Sequence, residues 1–218
     1  MTSSFIQIDG LDSVYVARRG KLSCVAFRLK TGDMCLYSPI SGLGSVVANE
    51  MARLGHLSVL LAPNHYHNKG LQEHVALFPQ ATLVASAFAA NRLKKVTGLD
   101  TSDLAVLRRV LPDTAQILEP EGLKTGEVWL QMQSGAEVAW IVTDACSAPH
   151  TKPGQFAENL TLLGTFPKYG IKDAEVYKAW VAEQISRHSP TLLIPCHGSP
   201  VRDPNMGTSL LHLLDTIP

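Results

Sequence analysis

The sequence predicts a layered α/β protein with mixed sheets. Three observations carry that expectation. Both halves of the chain alternate strand-rich stretches with helices. Two stretches, 22–37 and 127–144, have the composition and spacing of hairpins, which a purely alternating βαβ chain would lack. Three apolar strands stop at a histidine or an aspartate, the setting in which α/β folds place chemistry.

Residues 4–8 and 13–18 alternate as strands do. Leu22–Leu29 and Met34–Tyr37 flank the turn Lys30–Asp33, whose Gly32-Asp33 pair reverses the chain. Val46, Val47, Met51 and Leu54 recur at helical spacing, so Gly42–Leu54 is expected to be a helix. Leu57–Ala62 is a short apolar run that reads as a buried strand. Leu71, His74, Val75 and Phe78 line one face of a helix over Gly70–Phe78, and Ala81–Val84 is a further strand. Ala87–Lys95 ends in basic residues near Gly98, as helices do. Ser102 or Asp103 is placed to cap a helix over Leu104–Leu111 that stops before Pro112. A polar linker leads to the second hairpin, Glu127–Met132 and Val138–Asp144, turning at Ser134-Gly135. Asp144 is expected to end that strand, with Ala145–Pro149 a loop. Asn159–Phe166 is expected to be helical. Asp173–His188 is an amphipathic helix through Val176, Trp180, Val181 and Ile185. Thr191–Gly198 is a buried strand ending in His197, and Met206–Leu214 closes the chain as a helix. No repeat, charge block or flexible linker divides the chain, so residues 1–218 are expected to form a single domain.

Composition narrows the function. Hydrophobic residues make up 45% of the chain, an ordinary share for a globular protein. The formal net charge of zero gives no reason to expect nucleic acid or an anionic membrane as a partner. The stretch Met1–Gly10 has neither a basic start nor a long apolar core, and no run reaches the roughly 18 apolar residues of a membrane span. The four cysteines, Cys24, Cys35, Cys146 and Cys196, are scattered, so buried thiols and a cytoplasmic location are expected. The aromatic residues permit a homodimer.

The strand ends carry the candidate chemistry. The first yields His65 and His67, the second Asp144, the third His197. With these strands side by side, imidazole and carboxylate ligands would converge on one edge. Such a set suits one Zn²⁺, or iron or manganese, with a position left open for water. The plain alternative is that the histidines are surface or loop residues and Asp144 caps a turn. Cys196, one residue before His197 in an extended strand, should face the core. Cys146 lies in the predicted loop within reach of the site. Tyr66 would point away from the two histidines if its segment stayed extended.

In this order of elements and motifs the chain resembles the metallo-β-lactamase-fold superfamily over roughly residues 20–203. Val142-Thr143-Asp144 looks like the family's Thr-Gly-Asp strand end, and Cys196-His197-Gly198 like its late Gly-His-Gly end. The resemblance implies a four-layer αβ/βα sandwich of two mixed β-sheets flanked by helices. It also implies a metal-dependent hydrolase site in which Asp144 matches the bridging carboxylate and His197 the late histidine. The family's His-x-His-x-Asp-His motif is incomplete here. With His65 and His67 as its first two histidines, Lys69 and Gly70 stand for Asp and His. In the other register His67 is the last histidine, with Tyr66 for Asp and Asn64 for the second His. The family's middle histidine also has no counterpart in Glu127–Met132; Met132 is nearest by position, and His74 and His150 match no ligand position.

These departures leave at most a mononuclear site drawn from His65, His67, Asp144 and His197. The leading expectation is a hydrolase acting on an ester, thioester, lactone or phosphoester of small-molecule size. Asp144 would hold the metal or orient the water, and Lys69 would polarise a carbonyl or phosphate; Lys69 as a solvated loop residue is the alternative. One rival is a metal-free binding or assembly module on the same scaffold. The other is a mononuclear iron oxygenase using two histidines and Asp144.

Overall fold

The computed structural model describes residues 4–217, so Met1–Ser3 of the N-terminal stretch read above lie outside the described residues. The chain divides into two compact units, Met1–Asp113 and Thr114–Pro218. Each contains one mixed six-stranded sheet, and seven helices are found among the described residues.

In the first unit the strands β1 (Ile6–Gln7), β2 (Val14–Arg19), β3 (Leu22–Arg28), β4 (Met34–Tyr37), β5 (Leu57–Ala62) and β6 (Thr82–Ala85) lie side by side in chain order. The first four pair antiparallel, and the β3–β4 hairpin is the one the Gly-Asp turn predicts. From β4 onward the pairing is parallel. Parallel strands need a crossover, which α1 (Gly44–Leu54) and α2 (Leu71–Leu77) supply, and they are buried on both faces. That is why Leu57–Ala62 reads as an unbroken apolar run rather than an alternating one. Helices α3 (Ala87–Thr97) and α4 (Leu104–Arg108) follow, capped by the side chains of Ser86 and Asp103. The core here is aliphatic, with Met34, Leu36, Val47, Leu60, Leu71 and Leu93 fully or nearly fully buried.

The second unit contains β7 (Ala115–Leu118), β8 (Trp129–Ser134), β9 (Glu137–Ser147), β10 (Thr161–Leu162), β11 (Leu192–His197) and β12 (Val201–Arg202). The order across the sheet is β12-β11-β9-β8-β7, with β10 on β9. Helices α5 (Phe166–Tyr169), α6 (Ala174–Arg187) and α7 (Met206–Asp215) complete it. The core is aromatic: Trp129 packs 5.7 Å from Trp140 and edge-on to Tyr177 and Trp180.

Three expectations are corrected. Asn159–Phe166 is not a helix; Thr161–Leu162 pairs with Ser147 and Cys146, and helix begins only at Phe166. A two-residue strand beside an apolar neighbour leaves no periodicity to read. The polar linker holds β7, whose Gln116 interrupts the apolar signal, and β7 pairs with β8. Asp144 does not end its strand, because pairing with β10 carries β9 on to Ser147.

Candidate metal centre

In the first unit the site grows out of the turn after β5. Asn64, fully buried, accepts backbone N–H groups from Tyr66 (2.8 Å) and His67 (3.0 Å) through its Oδ1. Asn68 Nδ2 donates to the His65 carbonyl at 2.7 Å. These bonds fold residues 64–68 into a tight side-chain-held turn. The segment is therefore not extended, and the Tyr66 ring lies edge-on to His65 at 4.3 Å rather than pointing away from it. The turn is also pinned from outside: a Cβ on Gly70 would come within 2.4 Å of the Pro39 carbonyl oxygen, so only glycine allows that approach.

The approach brings Ser38 to His67. Ser38 Oγ lies 2.7 Å from His67 Nδ1. Ser38 is fully buried and has φ of 58°, the left-handed region that an ordinary side chain avoids. With Nδ1–H donating to the hydroxyl, His67 presents the lone pair of Nε2. This is the arrangement by which a second group fixes a ligating imidazole.

In the second unit Asp144 and His197 meet directly, with Asp144 Oδ1 2.8 Å from His197 Nε2. Both side chains are only slightly exposed, at 14% and 20%. The His197 carbonyl accepts from Ser147 Oγ and from the Ala148 N–H, each at 2.9 Å. A Cβ on Gly198 would meet the Ala148 oxygen at 2.1 Å, and φ there is 126°, so this position also demands glycine.

Below Asp144 lies Glu127, almost wholly buried. Its Oε1 accepts from Trp129 Nε1 (2.8 Å) and from the N–H groups of Thr143 (3.3 Å), Asp144 (3.1 Å) and Ala145 (3.3 Å). Burial pushes the carboxyl up to about 8, the Asp144 charge adds to the rise, and the donors oppose it only in part.

Of the candidate ligands, Asp144 and His197 are brought together within the second unit, and His67 is held at the strand-end turn of the first. His65 is buried against Tyr66, and Lys69 is exposed in the same turn. His74 is buried in α2, His150 is exposed, and Met132 is buried in β8. Cys196 is buried, as its strand position predicts. Cys146 is also buried, and burial raises its thiol far above the ordinary value, so it is an inert core residue rather than a reactive loop thiol.

Two residues of this site were not singled out in the sequence. Ser38 had the same signal as the others, a polar residue at the end of an apolar strand. Glu127 had a different one, a charge opening the apolar run Val128–Leu130.

No family model matches the chain, and no curated protein does. Solved structures do. A metallo-β-lactamase from Pontibacter korlensis is 13% identical, with a TM-score of 0.62 over 99% of this chain and 100% of that one. A metallo-β-lactamase from Hirschia baltica is also 13% identical, with a TM-score of 0.63 over 98% and 97%. A flavodiiron core from Synechocystis is 14% identical, with a TM-score of 0.62 over 98% of this chain and 62% of that one. The chain is a divergent protein of metallo-β-lactamase fold.

Proposed function

We propose that this protein is a metal-dependent hydrolase with a single-metal site formed by His67, Asp144 and His197. The observation that carries the reading is the direct meeting of Asp144 and His197 at 2.8 Å in the second unit; a Ser38-held His67 at a strand end of the first unit supplies the further imidazole. The donor set fits: it matches the two-histidine, one-carboxylate sets of catalytic zinc sites, which leave a position open. A bound Zn²⁺ would act as a Lewis acid and bring a water toward a pKa of about 7. The chain's own residues do the rest. Ser38 holds His67 in one tautomer. Asp144 binds metal or accepts the proton of the attacking water, and His197 supplies the second imidazole. Lys69 is the candidate to polarise the carbonyl or phosphoryl oxygen of the substrate, which we take to be a small ester, thioester, lactone or phosphoester met in the cytoplasm.

The test is metal analysis of protein purified without chelator, followed by turnover of ester, thioester, lactone and phosphoester substrates. Near one equivalent of metal in the wild type, and loss of metal and turnover together in Asp144→Ala, is the expected result. Full activity in that variant rules the mechanism out. No uptake of zinc, iron or manganese rules out the site itself and leaves a metal-free binding module.

The same donor set favours a second reading, since two histidines and one carboxylate also suit Fe(II) in oxygen chemistry. Among the similar folds, the flavodiiron core is named for iron. Iron in the purified protein with oxygen consumption on reduction would select this reading over hydrolysis.

A further inference from the structure

We infer that Glu127 is the positioning residue of this site, the group that sets where Asp144 stands relative to His197. The inference rests on the proposed role of Asp144 and deepens it. It begins in the sheet register. β9 and β11 run parallel and in step from Leu192↔Ala139 to Pro195↔Val142. The pairing resumes only at His197↔Ser147, so β9 takes five steps where β11 takes two. Thr143, Asp144 and Ala145 sit in that bulge. On the other side of β9 the ladder to β8 is recorded only as far as Leu130↔Ile141. No ladder pairing is recorded at these three residues, and an acceptor from outside the ladder suits their N–H groups.

Glu127 provides them. One oxygen, Oε1, gathers all three N–H groups together with the Trp129 indole N–H. The other, Oε2, is buried with no hydrogen-bond partner among the described residues. A buried carboxyl with one oxygen shared among four donors and the other orphaned is a costly arrangement. An apolar residue would spare that cost but remove the acceptor that these three N–H groups share. What the carboxyl secures is the backbone conformation from which Asp144 reaches His197. Its role is to accept hydrogen bonds, so a neutral amide of the same length should serve in its place.

The experiment uses the full chain with Glu127→Gln, Glu127→Leu and Glu127→Asp, and Val181→Ala as a destabilised control from the core beneath the same sheet. Two quantities are read: zinc affinity by chelator competition, and the ring nitrogen shifts of His197 in metal-free protein at one fixed pH. Glu127→Gln should stay within about threefold of wild-type affinity and keep the His197 shifts. Glu127→Leu should lose at least about tenfold, as changes to groups behind ligands do, with the His197 shifts moved. Glu127→Asp, whose acceptor is withdrawn by one methylene, should do the same and decides the matter if the leucine variant does not fold. Val181→Ala should lose thermal stability and change neither quantity. Wild-type affinity and shifts in both the leucine and aspartate variants overturn the inference, as does an equal loss in Val181→Ala. If the wild type binds no zinc, the hydrolase proposal falls by itself and the His197 shifts alone decide the role of Glu127.

Discussion

Ser38 holds an unfavourable backbone conformation, φ 58°, and its hydroxyl meets His67 Nδ1 at 2.7 Å. A non-glycine residue in that region costs on the order of 1–3 kcal/mol, which the surrounding structure must offset. The cost is understandable if the hydroxyl fixes a ligating ring. Ser38→Ala should therefore loosen zinc by about ten- to a hundredfold, with little change in the stability of the chelated protein; competition titration and urea melts measure the two. Unchanged affinity would reduce the contact to packing. Gly198 is constrained in the opposite sense. Gly198→Ala must relieve a 2.1 Å contact with a backbone oxygen at a φ of 126°. It should destabilise the chelated protein by about 2–4 kcal/mol, visible as a lower urea midpoint with unchanged slope. A neutral result would mean that the Ala148 carbonyl can swing away.

At the scale of elements, α2 carries a titratable group in its buried face. His74 is fully buried, its Nδ1 bonds the Gly70 carbonyl at 2.8 Å, and its Nε2 has no partner among the described residues. Burial holds the imidazole below its ordinary value, with Gly70 and Glu73 opposing in part. The unfolded chain therefore takes up this proton first, near pH ~6.5, and the folded chain only below that. Between those points the unfolded state binds more protons, so His74 lowers stability as the pH falls through that window. In His74→Leu the backbone N–H at 74 still satisfies the Gly70 carbonyl. The variant should lack this acid-side loss, as denaturation at a series of pH values would show; a loss equal to wild type would assign it elsewhere. Such elements were legible wherever period and length agreed, as in α1, α3, α6 and the strands β3–β5. Elements that hold little of their own signal were not, and β7, β10 and β12 acquire their structure from neighbouring strands. The same divide runs through the site. The meeting of Asp144 and His197 was legible because residue type and strand end coincide. The turn that buries His65 and sets His67 against Ser38 was not, because it depends on Asn64 accepting two N–H groups and on Gly70 admitting the Pro39 carbonyl. Neither contact leaves a mark in one sequence.

For the molecule as a whole, metal binding and stability are linked. A metal that binds only the folded chain stabilises it by mass action, about 2.7 kcal/mol at a hundred times the dissociation constant. For a chain of this length each kcal/mol moves the melting temperature by roughly 2–4 °C. Saturating zinc should therefore raise the wild-type melting temperature by about 5–10 °C over chelated protein. The Asp144–His197 hydrogen bond at 2.8 Å complicates the sign for the variants. Without metal the pair satisfies itself, so Asp144→Ala should cost some stability in chelator while losing the zinc response entirely. Ser38→Ala should melt like wild type in chelator and respond to zinc only at higher concentrations, because the hydroxyl acts through His67 and leaves the pair intact. That ordering separates a metal site from a structural polar pair. Equal zinc responses in wild type and Asp144→Ala would point to adventitious binding at other histidines. No response in any of the three would mean that Asp144 and His197 serve only one another.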